Sequence, residues 1–168
     1  LEVGLDYLRI APTPRQQWVD DGRTRFVLTD AGVRDAHIEL ASQLGRFVVD
    51  GQVGIEGALG ADLRVERLQL DTLAELFPDL AGGLAGTLDF SGRLSGDAAA
   101  AELDGEVGAK GVWLEGAVRW LDAAGQVAIG PDGLLDVDVE LGVADQPLAG
   151  VVGTLPLLTD LAAPGLNP

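Results

Sequence analysis

Apolar and polar residues alternate along most of this chain. In the clearest stretch Phe47, Val49, Gly51, Val53 and Ile55 share one parity, while Asp50, Gln52 and Glu56 take the other. Successive side chains on a strand point to opposite faces, so this spacing predicts a strand with one dry face and one wet face. The same pattern sets Leu88, Phe90, Gly92 and Leu94 against Thr87, Asp89, Ser91 and Arg93. It also sets Leu135, Val137, Val139, Leu141 and Val143 against Asp136, Asp138 and Glu140. Shorter sets predict further strands: Leu1, Val3, Leu5 and Tyr7; Phe26 and Leu28; Ala36, Ile38 and Leu40; Leu103, Gly105, Val107 and Ala109; Val127 and Ile129; and residues 151–155.

The breaks in the pattern predict the connections. Ala11, Pro12, Thr13 and Pro14 read as a turn-rich stretch, followed by polar residues 15–17. Leu63 and Val65 alternate, the pattern slips at Arg67, and it resumes at Leu68 and Leu70. A one-residue slip flips the faces of a strand, so a β-bulge or turn at Glu66–Arg67 is expected. Helical spacing occurs once, at Leu70, Leu73, Leu76 and Leu80; Pro78 limits it to a short turn near 72–77. Residues 98–101 form a small-residue connector, and residues 112–123 read as two strands about Gly116. Gly130, Pro131, Asp132 and Gly133 form a turn. The phrase Leu-Phe-Pro-Asp-Leu at 76–80 is echoed by Ala-Ala-Pro-Gly-Leu at 162–166, which suggests an elongated quasi-repeat. Roughly ten short strands with frequent glycine turns imply an all-β fold.

Composition sharpens this picture. Hydrophobic residues make up 47% of the 168 positions but aromatic ones only 5%, with 24 glycines. A core this poor in rings suits a shallow or extended sheet better than a sandwich, whose centre is usually plugged by bulky side chains. A transmembrane barrel would need aromatic girdles. The net charge of −16 argues against nucleic acid, since phosphates are held by Lys and Arg and only 11 of these face 27 acids. There is no cysteine, hence no disulfide and no thiolate metal site. The absence of any Met, the first position included, leads us to expect one internal segment of a longer protein, with a sub-boundary near 67–86.

The chemistry of catalysis is sparse. His37 is the one histidine, and beside Asp35 and Ile38 on a strand it reads as a surface residue. Ser42, Ser91 and Ser95 lack a nucleophile-elbow sequence. Asp136, Asp138 and Glu140 form a carboxylate ladder of the kind a wet strand face produces. Asp20, Asp21 and Gly22 form a turn without the ligand spacing of a calcium loop. Trp113 and Trp120 read as packing or groove-lip residues. The chain is therefore not expected to be an enzyme, and no cofactor or metal is expected.

One stretch carries a resemblance. LQLDTLAELFPDLAGGLAGTLDFSGRLSG at 68–96 combines a strand, a D-x-L-x-x-L-x-P-x-L-x-G turn and a G-x-L-x-x-x-G-x-L-x-G phrase. With FVVDGQVGI at 47–55, residues 103–121 and DQPLAGVVG at 145–153, it resembles the TamB branch of the AsmA-like proteins. Where that family commonly has a proline before the next strand, Asp97 and an alanine run stand here.

The resemblance implies an elongated curved antiparallel sheet forming an open, U-shaped, β-taco-like groove. It implies a segment of a periplasm-spanning, inner-membrane-anchored protein of a Gram-negative bacterium. In that family the groove carries phospholipid acyl chains between the inner and outer membranes. It also supports outer-membrane protein assembly and secretion, with an outer-membrane barrel met through parts of the protein other than this segment. The groove-lining residues would be Phe47, Val49, Val53, Ile55, Leu63, Val65, Leu88, Phe90, Leu94, Leu103, Val107, Leu135, Val137, Val139 and Leu141.

An acyl chain gains about 0.8 kcal/mol per CH₂ on leaving water, on the order of 10 kcal/mol in all, and almost nothing on leaving a bilayer. That balance allows passage without trapping. The alternative expectation is a structural β-solenoid or an adhesin- or autotransporter-like passenger segment without lipid transport. It would predict regular rungs and Asn, Thr or Ser ladders.

Overall fold

The computed structural model describes residues 1–4, 9–13, 16–20, 22–54, 57–71, 84–97, 100–113, 120–143 and 146–156. Twelve strands form a single antiparallel sheet: β1 (Glu2–Gly4), β2 (Arg9–Thr13), β3 (Gln16–Val19), β4 (Arg25–Thr29), β5 (Gly32–Ser42), β6 (Gly45–Gly54), β7 (Ala58–Gln69), β8 (Ala85–Asp97), β9 (Ala101–Trp113), β10 (Leu121–Ile129), β11 (Leu134–Val143) and β12 (Gln146–Pro156). From β4 onward each strand pairs with the next in sequence. β1 adds to the outer side of β4, and the β2–β3 hairpin joins through Val19 opposite Ala41 of β5. The sheet is curved and does not close. The turn expected near 72–77 and the echo at 76–80 and 162–166 lie outside the described residues.

The sequence pattern explains most boundaries. Gly133 donates its N–H to the carbonyl of Gly130 and closes the turn between β10 and β11. The slip at Arg67 is a bulge: the β7–β8 register shifts between Val65 and Leu68, and Arg67 sits at φ 51°. This left-handed backbone is rare for a non-glycine residue. It is held by the Arg67 N–H donating to Asp89 Oδ1 at 2.8 Å. Asp35, at φ 49°, marks a second shift, between Val33 and Ala36. Each bulge restores apolar parity to one face.

One expectation is corrected. Residues 11–13 of the turn-rich stretch belong to strand β2, and polar Gln16 and Gln17 open β3. Proline is compatible with a strand that has a neighbour on one side only, and among the described residues β2 pairs with β3 alone.

Little of the molecule is a core in the usual sense. Among the described hydrophobic residues only Leu40, Val48, Val65, Leu70 and Ala109 are buried. The accessible surface is 11247 Å² for a chain of 17.4 kDa. A compact monomer of that mass exposes roughly 7,900 Å². The excess is the mark of a single layer with no second layer packed on it.

The polar face of β5–β7 carries an ion-pair network. Glu39 Oε1 accepts from Arg23 Nη1 at 2.8 Å and from Arg46 Nε at 3.0 Å, and Arg46 Nη1 reaches Glu66 Oε2 at 3.1 Å. Arg23 stands in the corner between β3 and β4, where buried Asp20 accepts the backbone N–H groups of Arg23 and Thr24. The network thus ties that corner to the middle of the sheet. Burial alone would raise the Glu39 carboxyl, but the hydrogen bonds from Arg23 and Arg46 outweigh it and hold the group below its ordinary 4.5. The carboxylates of Glu66 and Glu39 in turn hold the Arg46 guanidinium charged more firmly than usual.

A depressed folded-state pKa means that the unfolded chain binds the proton more readily. The Glu39 contribution to stability is therefore full above 4.5 and is lost as pH falls through the lower folded value. Urea unfolding of the wild type and of Glu39→Gln, followed from pH 7 to pH 3, is expected to show the difference between them shrinking below pH 4.5. A difference that stays constant across that range would refute this assignment.

Candidate functional site: the uncovered apolar face

Antiparallel register brings the apolar parities of separate strands together. One row across the sheet reads Leu40, Phe47, Val65, Phe90, Val107, Gly125, Val139 and Val151, one residue from each of β5–β12. A second reads Ile38, Val49, Leu63, Gly92, Gly105, Val127, Val137 and Gly153. A third reads Ala36, Gly51, Ala61, Leu94, Leu103, Ile129, Leu135 and Leu155. None of these positions is charged. The opposite face carries, in one row, His37, Asp50, Asp62, Arg93, Asp104, Ala128, Asp136 and Thr154.

Fourteen of the fifteen residues expected to line a groove lie on this face: Phe47, Val49, Val53, Leu63, Val65, Leu88, Phe90, Leu94, Leu103, Val107, Leu135, Val137, Val139 and Leu141. Ile55 lies outside the described residues. The face also includes Leu40, Ile38, Ala109, Val127 and Ile129, whose alternation in the sequence already marked them, and Ala61, which it did not. Most of its large side chains are half-buried. Phe47 and Val53 are 37% and 46% exposed.

The sheet bends toward the apolar side, and glycines permit the bend. A Cβ added at Gly125 would lie 2.1 Å from the Asp138 carbonyl oxygen and 2.6 Å from the Val139 Cα. At Gly51 it would lie 2.6 Å from the Ala61 Cα, and at Gly92 2.8 Å from the Asp104 carbonyl oxygen. Glycines on the polar face are less crowded, except Gly142 at the β11–β12 register shift, where a Cβ would lie 2.9 Å from the Gln146 carbonyl oxygen. Gly108 and Gly150 have nothing within 4 Å, and Gly60 has only the Gln52 side chain at 3.8 Å. Strands that converge on one side and diverge on the other make that first side concave. The crowded glycines step from row to row between β6 and β10, so the crease runs diagonally. Phe90 fills part of it, with ring atoms 2.6 to 2.8 Å from where Cβ atoms on Gly92 and Gly105 would sit.

Other features are less suited to a ligand site. A depression of about 330 Å³ is lined by Asp89, Lys110, Asp122, Glu140 and Gln146 among others, and one of about 450 Å³ by Arg25, Asp35, His37, Asp50, Asp62 and Arg93 among others. Both are open hollows on the polar face; the second lies between charged side chains, while the first is floored mainly by Gly108, Ala109, Ala123, Ala124, Gly142 and Pro147. His37 Nδ1 is paired with Asp50 Oδ1, and its Nε2 lies 3.7 Å from Glu39 Oε2. Asp136 accepts a hydrogen bond from the Thr154 hydroxyl at 2.6 Å. Among the described residues no group of three or more His, Cys, Asp or Glu side chains could hold a metal ion. The rings of Trp113 and Trp120 pack at 5.2 Å where β9 ends and β10 begins, with Trp120 58% exposed.

The crease makes a stability prediction. Gly125→Ala is expected to destabilise the chain by about 1–3 kcal/mol, the usual cost of overpacking. Gly108→Ala is expected to be neutral within about 0.5 kcal/mol or stabilising. Denaturant midpoints of the two variants against the wild type check this, and equal costs would contradict the direction of bending.

No protein-family model, curated protein or solved structure matches this chain, so the geometry of its apolar face is what speaks to its function.

Proposed function

We propose that this chain is a section of an apolar conduit: its concave face carries phospholipid acyl chains, as one segment of a TamB/AsmA-like envelope-biogenesis protein that bridges the periplasm of a Gram-negative bacterium. The observation that carries this reading is the three charge-free rows that run across eight strands with no layer of the described residues over them. Contiguous apolar surface beyond a few hundred Å² is rare on a soluble chain unless something binds there. Eight strands at about 4.8 Å spacing give a path of roughly 34 Å.

The shape of the surface fits an extended, featureless ligand. It has no convergent polar groups that would fix one orientation, as a site for a small polar molecule requires. Aliphatic walls of Val, Leu and Ala offer an acyl chain about what a bilayer offers, so binding costs little and release costs little. Support for outer-membrane protein assembly and secretion, with an outer-membrane barrel as partner, belongs to the same reading and rests on the family resemblance. A β-solenoid passenger is the weaker reading. Its rungs pair in parallel, whereas the pairings here are antiparallel.

The test is photocrosslinking. A photoreactive amino acid at Val49 or Val137 is expected to capture phospholipid from mixed phospholipid vesicles, with mass spectrometry identifying the adduct. The same group at Asp50 or Asp138, on the opposite face, is expected to give at most about a tenth as much. Equal yields from the two faces would eliminate the conduit. Leu63→Glu, which puts a charge at mid-row, is expected to abolish capture at Val49.

A further inference from the structure

In the middle of the crease the floor is glycine on two neighbouring strands. Gly92 of β8 and Gly105 of β9 face each other in the register. Neither position can hold a side chain. A Cβ on Gly92 would lie 2.8 Å from the Asp104 carbonyl oxygen, and one on Gly105 would lie 2.8 Å from the Ser91 carbonyl oxygen. The other two crease glycines are flanked by residues that carry a Cβ: Gly51 lies between Ala36 and Ala61, and Gly125 between Val107 and Val139.

The paired glycines leave a basin. Along its row the nearest side chains are Leu63 of β7 and Val127 of β10, three strand spacings or about 14 Å apart. Val107 bounds it on one side, and Leu94 and Leu103 bound it on the other. The filling comes from Phe90, two residues before Gly92 on the same face. Its Cζ and Cε2 atoms lie 2.6 to 2.8 Å from where the two missing Cβ atoms would sit. One ring thus takes the place of two side chains. Phe90 is half-buried and no layer of described residues lies over it, so its ring is the surface an occupant of the groove would meet.

We propose that Phe90 levels the track: its ring keeps an acyl chain moving over the Gly92–Gly105 pair instead of lodging in the basin, and so sets how fast lipid leaves this section. The proposal rests on the conduit reading. Against an even aliphatic wall a chain finds about what a bilayer offers. In a basin it would be touched from below and from the sides by protein atoms, which pack more densely than a liquid. Dispersion would then favour the lodged chain. Curvature demands both glycines, so the depth cannot be removed by a side chain at either position and must be filled from a neighbour. A leucine at position 90 would end at Cδ, short of the Cε2 and Cζ atoms that cover the glycines.

Release of bound lipid tests it. The 168-residue chain is loaded from vesicles that contain a phospholipid with a radiolabelled acyl chain. It is then mixed with excess unlabelled vesicles, and the label left on the protein is followed in time. Phe90→Ala is expected to load but to release lipid on the order of tenfold more slowly than the wild type. Phe90→Leu is expected to fall between the two, and it keeps apolar bulk on the face should alanine there prevent folding. Benzene, which enters apolar cavities of ring size, is expected to return Phe90→Ala to the wild-type rate and to leave the wild type unchanged. A purely structural role for the ring predicts the opposite sign, with weaker loading and faster release. Release from both variants that is unchanged or faster, or slowing that benzene does not relieve, would overturn the inference and leave the conduit standing. A wild type that takes up no phospholipid would overturn both.

Discussion

The structure depends on an unbroken antiparallel ladder. No second layer of described residues covers the sheet, so each strand is held by its neighbours within the sheet through backbone hydrogen bonds and cross-strand side-chain contacts. Period-two alternation then has one consequence everywhere: fixing one strand's register fixes which face all its side chains take. A slip at any strand from β5 to β11 would turn charged residues into the apolar rows. The bulges at Asp35 and Arg67 occur where the sequence drops out of phase, and at Arg67 the Asp89 carboxylate secures the unusual backbone.

Curvature decides what the apolar face can be. A flat sheet with this face would expose it fully. The bend toward Gly51, Gly92, Gly105 and Gly125 brings aliphatic side chains of adjacent strands together and half-buries them. The result is a layer whose apolar side chains are partly buried by one another and partly left open. The polar face solves a different problem. Its charges face water, and the Arg23–Glu39–Arg46–Glu66 network fastens the less regular N-terminal strands to the long ones.

The two ends of the sheet differ. At the N-terminal side, short strands and a hairpin blunt the edge, and β1 is three residues long. β12, the last described strand, is long, uncharged and apolar on both faces.

Much of this was legible in the sequence. Alternation identified the long strands, the bulge at Glu66–Arg67, the turn at Gly130–Gly133 and nearly all of the apolar face, because side-chain direction in a strand is set by parity alone. It also showed Gly51, Gly92 and Gly105 on that face, though not that a side chain there would strike the neighbouring strand. The strand at Arg9–Thr13 was hidden by Pro12, whose acceptance depends on lying at an edge. Strand order, the diagonal crease, and the ion network that unites residues 23, 39, 46 and 66 were decided only by tertiary structure. Each is a relation between strands, and period-two patterning speaks only of the faces within one.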